Sequence, residues 1–184
     1  MALRFPNDYR RVEQWLVFSK FWWLYDASHQ TPMAIVRRVK PVLEGKHKPL
    51  YFKNSDVGDH VVIYNTKWLA FRGEGWRERY YYHHTGYPKG MSFTPAWMLH
   101  EKDSTEIVRK VIYASMSKNI HRRSNMTRLH LYPELKDVPS KIMENIAGQL
   151  KQYMPVAKGL QDYSQNEIEN FPKIWDMPPD YLEK

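Results

Sequence analysis

The chain has 184 residues, a formal net charge of +8 at pH 7 and no cysteine. This length suits one domain with extensions or at most two small domains, and it allows a genuine hydrophobic core. The composition excludes disulfides, thiolate metal sites and cysteine nucleophiles. No apolar run approaches the length of a membrane span, and the longest, residues 21–25, has only the length of a strand.

The positive charge is concentrated in the first part of the chain. Residues 1–133 carry a net charge of +11, and residues 134–184 carry −3. A basic body predicts a polyanionic partner, and the acidic tail is expected to face protein or solvent instead. Residues 1–20 mix cations and acids with an apolar stretch, which fits an uncleaved import signal and an ordinary N-terminal arm about equally.

The first predicted helix has clear start and stop signals. Thr31 can cap its N-terminus, and Pro32 suits the first helical position, where its missing N–H costs nothing. Apolar residues follow at helical spacing, and Gly45 can end the helix in a left-handed conformation. Pro41 loses a hydrogen bond inside such a helix, so a kink or an early end is expected there.

Four strands are predicted from short apolar or aromatic runs. The second of them is nearly all apolar, as in a sheet that is covered on both faces. The alternation of these strands with helices indicates an α/β domain on a small, mostly parallel sheet. The predicted strands are Phe21–Tyr25, His60–Tyr64, Ala70–Arg72 and Arg79–His83.

Further helices are predicted after the strands. Their signals are a repeated Thr-Pro start, two capping boxes and one long amphipathic pattern. The prolines after residue 171 predict an extended arm. The segments concerned are Thr94-Pro95, Asp103 with Glu106, the amphipathic run Ser140–Tyr153, and Ser164 with Glu167.

Residues 80–90 read Tyr-Tyr-Tyr-His-His-Thr-Gly-Tyr-Pro-Lys-Gly. The aromatic run favours a strand, and the glycines and proline favour a turn after it. Backbone donors in such a turn, beside cations and stacking rings, suit a polyanionic surface such as folded nucleic acid. A surface hairpin or loop with incidental histidines accounts for the spacing about equally well.

A second cationic segment follows the predicted helix over residues 107–116. Residues 118–123 hold three cations and a histidine, and an irregular conformation is expected for them. Arginine binds phosphate well because its planar fork contacts two oxygens at once. A solvated charge run is the alternative interpretation.

The sequence offers little for catalysis or metal binding. His83 and His84 are adjacent and would point to opposite faces of a strand, with no carboxylate at ligand spacing. No phosphate-binding glycine motif, no carboxylate pair placed for acid–base work and no base beside Ser115 or Ser117 is recognisable. The sequence thus predicts no catalytic residue, no metal site and no cofactor.

Five blocks stand in order along the chain: GKHKP at 45–49, GDHVVIYNT at 58–66, YYHHTGYPKG at 81–90, MSKN at 116–119 with an arginine pair at 122–123, and LHLY at 129–132. With compatible gaps, they resemble the large-subunit ribosomal protein thirteen family over about residues 21–133. Two further blocks, DYSQNEI at 162–168 and FPKIW at 171–175, resemble the extension of that family's mitochondrial branch.

The resemblance implies a three-layer α/β/α domain with a structural, non-catalytic role in the large subunit of the mitochondrial ribosome. The implied division is an N-terminal arm at 1–20, an RNA-binding domain at 21–133 and a helical, then extended C-terminal extension at 134–184. The implied partners are large-subunit rRNA and neighbouring ribosomal proteins, with no membrane span and no homo-oligomer. A nucleic-acid-processing enzyme using His83 or His84 and a free RNA-binding regulator are the alternatives.

Dispersed cations, imidazoles and one tyrosine are the candidate RNA contacts. Aromatic residues of the acidic tail are candidate protein contacts, because such residues anchor protein interfaces. The family often has glycine where Lys89 stands here and usually has proline at the position of Ser117. The RNA candidates are Arg37, Arg38, Lys46, His47, Lys48, Arg77, Arg79, His83, His84, Tyr87, Lys89, Lys118, Arg122, Arg123 and Arg128, and the protein-contact candidates are Phe171, Trp175 and Tyr181.

Overall fold

The computed structural model describes residues 20–172. Strands in that range are β1 (Trp22–Asp26), β2 (His60–Tyr64), β3 (Tyr80–His84), β4 (Met91–Pro95), β5 (Leu129–Leu131) and β6 (Ile146–Leu150). Helices are α1 (Pro32–Glu44), α2 (Gly75–Glu78), α3 (Ala96–Lys102), α4 (Glu106–Ser115), α5 (His121–Thr127), α6 (Ser140–Met143) and α7 (Gln165–Glu169). Short 3-10 turns lie at Thr66–Trp68, Leu135–Asp137 and Leu160–Asp162.

Four strands form a parallel sheet in the order β5-β2-β1-β6. This confirms the predicted α/β class on a small, mostly parallel four-stranded sheet. The strands that make up the sheet differ from the predicted ones. Ala70–Arg72 forms no strand, and the strand predicted at Arg79–His83 is not part of the parallel sheet. It pairs as β3 with β4 in a separate antiparallel hairpin. Strands β5 and β6 take the two edge positions of the parallel sheet.

The helix predicted over Ser140–Tyr153 is wrong. Helix α6 ends at Met143, and β6 then pairs with β1 along the sheet edge. Alternate residues of β6 are partly buried, in the period of a strand. Gly148 lies against the ring of Trp23, where a Cβ atom would come within 3.2 Å of it. Glycine is a poor helix former, so pairing with the open edge of β1 outweighs the weak helical pattern.

Helix α1 begins as its sequence predicts and ends one turn after Pro41. The Thr31 hydroxyl accepts a hydrogen bond from the Ala34 N–H at 3.3 Å, and Gly45 closes the helix with a φ of +76°. An early end at Pro41 is therefore wrong. Buried Val42 and Leu43 follow the proline and continue the apolar face that packs on the sheet, which offsets the lost hydrogen bond.

The main core lies between one face of the sheet and helices α1 and α4. Tyr25, Val61 and Ile63 of the strands are fully buried there against Ile35 of α1 and Ile107 of α4. The sequence patterns located these helices but not every cap. Two helices begin slightly later than their sequence signals predict. Thr105, and not Asp103, is the residue directly before α4, and Pro95 ends β4 directly before α3.

The other face of the sheet holds a smaller apolar cluster with α6. Val62 and Tyr64 are buried there against Val138, and Ile142 of α6 packs on them. Helices α1 and α4, the sheet and α6 thus form three layers. This confirms the predicted α/β/α arrangement.

Residues 155–172 form a second compact unit with its own contacts. The Ser164 hydroxyl accepts from the Glu167 N–H at 3.4 Å, and the Glu167 carboxylate accepts from the Ser164 N–H at 3.1 Å. This confirms the predicted capping box of α7. The Phe171 ring meets the Tyr163 ring edge-on at 5.4 Å, and Phe171 remains 55% exposed.

Three aromatic residues from adjacent strands stack at the amino end of the sheet. The Trp22 ring lies parallel to the His60 ring at 4.2 Å and stacks on His130 at 5.0 Å. The His60 Nδ1 and His130 Nε2 atoms are 3.4 Å apart. Burial and the neighbouring His130 lower the pKa of His60 to about 4, and burial also lowers the pKa of His130. The nearby cations Arg128 and Lys20 act in the same direction on His60.

We expect this pair to make the fold acid-sensitive. Between about pH 6.5 and pH 4 the unfolded chain binds protons that the folded pair resists, so the free energy of unfolding falls as the pH falls. Each histidine contributes at most about 1.4 kcal/mol per pH unit, reduced by partial solvation. Urea unfolding at pH 7 and pH 5 measures the slope. His60→Gln/His130→Gln should flatten it, and the exposed His83→Gln should not. An unchanged slope in the double variant would contradict this assignment.

Candidate nucleic-acid interface

Asp59 organises the basic loop at residues 46–48. Its buried carboxylate accepts hydrogen bonds from the Phe21 N–H at 3.0 Å and from the Trp23 indole N–H at 2.9 Å. The His47 Nε2 lies 3.0 Å from the same carboxylate, and the Lys48 ammonium also pairs with it. The His47 and Lys48 side chains, two of the three predicted RNA contacts in this loop, are therefore directed toward Asp59, although His47 remains exposed. Lys46 remains exposed and pairs with Glu44 at 2.6 Å.

Arg128 lies in the interior. Its side chain is only 5% exposed, and its guanidinium makes two contacts of 2.7 Å with the Asp56 carboxylate. It also donates to the Asn125 side chain at 2.6 Å and to the Leu43 carbonyl at 3.1 Å. Burial acts to raise the pKa of Asp56, but Arg128 outweighs it, so that pKa lies below its usual value. Arg128 therefore stabilises the fold, and we remove it from the candidate RNA contacts.

The β3–β4 hairpin brings four of the predicted residues together at its tip. Gly86 has a φ of +88°, and Lys89 has a φ of +62°, the conformation that favours the glycine of the family pattern. The His84 Nδ1 accepts a hydrogen bond from the Gly86 N–H at 2.8 Å, which fixes the start of the turn. His83, His84, Tyr87 and Lys89 are all exposed there.

One face of the hairpin is aromatic and exposed. Tyr82 pairs with Phe93 across the two strands, and the two residues are 75% and 62% exposed. Tyr81, at the adjacent position, turns to the opposite face and packs on the core. Residues 79–95 contain no acidic residue. Tyr82 and Phe93 are absent from the predicted contacts, although strand alternation from the half-buried Tyr81 could have identified the outward face.

Residues 121–123 of the second cationic segment are helical, so the predicted irregular conformation is wrong for them, whereas residues 118–120 lie outside the helix. Arg122 and Arg123 lie in α5, and Lys118 precedes it. The Arg122 guanidinium stacks on the Tyr113 ring at 3.5 Å, and its Nε donates to the Tyr113 carbonyl at 2.8 Å. Lys118 and Arg123 are exposed. Arg122 is thus held in position by Tyr113, while Lys118 and Arg123 face solvent.

The remaining candidate cations lie on α1 and around α2. Arg37 and Arg38 are exposed, with guanidinium carbons 5.1 Å and 5.6 Å from the centre of the Tyr153 ring. Arg79 lies over the Phe71 ring at 5.2 Å. Arg77 projects into solvent with its side chain 84% exposed. These four arginines lie on or next to α1 and α2, and therefore on other elements than α5 and the hairpin tip.

Some predicted features lie outside the part of the chain that the structure describes. Trp175 and Tyr181, two of the three candidate protein contacts, are among them. Within residues 20–172 no group of three metal-ligating side chains occurs, and no helix is long and apolar enough to cross a membrane.

Clustered exposed cations on a basic body, beside exposed aromatic rings on which bases can stack, are typical of proteins that bind nucleic acid. Residues 20–138 match the family described as Ribosomal protein L13. The chain belongs to the ribosomal protein L13 family.

The relatives extend this finding along the chain. The protein named large ribosomal subunit protein uL13m from Drosophila melanogaster is 43% identical over 173 residues, which cover 94% of this chain and 97% of that protein. Large ribosomal subunit protein uL13 from Geobacter sulfurreducens is 33% identical over 114 residues, covering 62% of this chain and 80% of that protein. The protein of that name from Mycoplasmopsis agalactiae is 38% identical over 98 residues, covering 53% and 68%. The predicted family and its mitochondrial branch are confirmed.

Proposed function

We propose that this protein is a structural, non-catalytic constituent of the large subunit of the mitochondrial ribosome. It binds and stabilises large-subunit rRNA there as a single copy, beside neighbouring ribosomal proteins. The observation that carries the proposal is the 43% identity with a large ribosomal subunit protein over nearly the full length of both chains. The predominantly basic body and the exposed hairpin support RNA as the main partner.

The RNA-binding body in this proposal is longer than the sequence suggested. Strand β6 completes the parallel sheet, so we place the boundary of the body after Met154 and not after residue 133. The C-terminal extension then begins at residue 155. Its Phe171, with Trp175 and Tyr181 beyond the described residues, is proposed to contact protein.

The proposed RNA contacts are the exposed members of the predicted set other than His47, together with the half-buried Arg122. Lys48 and His47 organise their loop through Asp59, and Arg128 is buried, so none of the three is included. Tyr82 and Phe93 are added because their rings are exposed on the hairpin face. The set is Arg37, Arg38, Lys46, Arg77, Arg79, Tyr82, His83, His84, Tyr87, Lys89, Phe93, Lys118, Arg122 and Arg123.

Sedimentation of a mitochondrial extract tests the function. The tagged full-length chain should travel with large-subunit rRNA in a sucrose gradient and should stay with it in moderate salt. A free RNA-binding regulator would remain near the top of the gradient. Recovery of the chain only in light fractions would reject the ribosomal assignment.

The aromatic hairpin face is expected to add affinity for unpaired RNA bases. Stacking of a base on an aromatic side chain is worth about 1–3 kcal/mol, so Tyr82→Ala/Phe93→Ala should weaken binding of single-stranded RNA by about tenfold or more. Tyr82→Phe keeps the ring and is the matched control. Fluorescence anisotropy with a labelled oligonucleotide gives the affinities. Equal affinity of the wild-type chain and the double variant would show that this face has another use.

A further inference from the structure

A cavity of about 280 Å³ opens beside the start of α1. Residues that follow β1 form one side of it, and Tyr153 and Met154, which follow β6, form another. The chain leaves β1 through α1 toward β2, whereas β6 lies on the opposite side of β1. The cavity therefore lies at the carboxyl ends of two parallel strands where the strand order reverses. Ligands of open α/β sheets bind at such points.

The wall of the cavity is fixed by a reciprocal pair of hydrogen bonds. The Gln30 side-chain amide donates to the Met154 carbonyl at 2.8 Å, and the Met154 N–H donates to the Gln30 side-chain oxygen at 2.9 Å. Gln30 is fully buried. These bonds hold the segment after β6 against the segment before α1, so the opening is built into the fold.

Three arginines line the cavity: Arg37, Arg72 and Arg79. None of the described residues that line it is acidic. The N-terminal end of α1, a helix of 13 residues, also faces it and adds a partial positive charge. Pro32 has no N–H and Thr31 caps the Ala34 N–H, so the guanidinium groups are the main donors. Guanidinium forks favour a phosphate group, because each can contact two of its oxygens.

Two aromatic rings lie beside these cations. Phe71 lies under Arg79 at 5.2 Å and meets the Trp76 ring edge-on at 4.6 Å. Arg37 donates a hydrogen bond of 2.6 Å to the Tyr153 hydroxyl. Aromatic rings and guanidinium planes are the surfaces on which nucleic-acid bases stack. The volume, just below the usual range of about 300–1,000 Å³ for ligand pockets, limits the ligand to about the size of one nucleotide.

We propose that this cavity binds a single nucleotide, with its phosphate on Arg37, Arg72 and Arg79 and its base against Phe71 and Tyr153. The nucleotide comes either from free solution or from an RNA strand that turns one residue outward. The two sources present the same chemistry, and the experiment separates them. The site does not depend on assembly into a ribosome.

Calorimetric titration of the purified full-length chain tests the proposal. The probes are AMP, adenosine, inorganic phosphate and a short single-stranded RNA. We expect AMP or the RNA to bind, and Arg72→Ala/Arg79→Ala to weaken that binding by about tenfold or more, because charge-assisted hydrogen bonds are lost. Adenosine lacks the phosphate and phosphate lacks the base, so each should bind about tenfold or more weakly than AMP if AMP binds.

Arg109→Ala is the matched control, because Arg109 is an exposed arginine of α4 that neither lines the cavity nor belongs to the proposed RNA contacts. Binding of AMP that only the double variant weakens supports the site with a free nucleotide as its source. Binding of the RNA alone, with the same pattern, supports it with an RNA strand as the source. The proposal would be overturned if both variants lost binding equally or if neither lost any. It would also be overturned if phosphate bound as tightly as AMP, or if neither AMP nor the RNA bound. If circular dichroism shows that the double variant is unfolded, the single variant Arg72→Ala replaces it in these comparisons, because Arg72 is exposed. Gradient sedimentation remains the separate test of the ribosomal role.

Discussion

Replacing Asp59 by alanine is expected to lower the free energy of unfolding by about 3–5 kcal/mol. The carboxylate is fully buried and accepts hydrogen bonds from the Phe21 N–H and the Trp23 indole. Its loss removes a counterion from the Lys48 ammonium, whose side chain is only 9% exposed, and strips two donors of their acceptor. Removing one member of a buried ion pair costs more than the pair contributes, because the remaining charge stays desolvated.

Urea unfolding at pH 7 measures this effect. Asp103→Ala is the matched control, because Asp103 is exposed and its hydrogen bonds, chiefly from Thr105, are local to the start of α4. Its loss should cost about 1 kcal/mol. Asp59→Asn keeps the shape and removes the charge, so it should fall between the two. If Asp59→Ala costs no more than the control, the carboxylate does not hold the loop and the strand together as inferred.

Local signals in the sequence predicted the parts of the fold that depend on local chemistry. The start of α1 at Thr31 and Pro32 and its end at Gly45 follow from cap and turn preferences that act within a few residues. The apolar run at β2 predicted a central strand because a strand covered on both faces needs such a run. These features require no knowledge of distant contacts.

The features that sequence patterns missed depend on contacts between distant residues. Ile142, Ile146 and Leu150 fit a helix, and only the open edge of β1 makes β6 a strand. Arg128 has the composition of a surface cation, and its burial follows from Asp56, which lies 72 residues earlier. The same holds for the basic loop at residues 46–48, because Asp59 sets the direction of its His47 and Lys48 side chains.

The β3–β4 hairpin depends both on a local signal and on contacts between residues that are distant in sequence. The aromatic run correctly predicted a strand, but its partner β4 reads Met-Ser-Phe-Thr-Pro and carries no strong strand signal of its own. Without that partner the strand was placed in the parallel sheet. The exposed face with Tyr82 and Phe93 becomes evident only once β3 and β4 are paired and Tyr81 is seen to point to the core.

The affinity of the isolated chain for RNA is expected to fall steeply with salt. Nine Lys and Arg residues remain in the proposed contact set after the inward-facing cations are removed. If about 6–10 of the protein's cations contact phosphates, counterion release predicts a loss of about 10³–10⁵ in affinity between 50 and 200 mM salt on the scale measured for duplex DNA. Single strands release fewer counterions per contact, so an unpaired RNA should give a shallower slope than a folded one.

Fluorescence anisotropy over a series of KCl concentrations gives that slope. Lys118→Ala/Arg123→Ala removes two exposed cations, and each lost phosphate contact should reduce the slope by about one. Tyr82→Ala/Phe93→Ala should lower affinity without changing the slope, because stacked rings release no counterions. A flat salt profile for the wild-type chain would contradict a phosphate-dominated interface. An equal change of slope in both double variants would show that the hairpin binds through charge, because only lost phosphate contacts alter the number of counterions released.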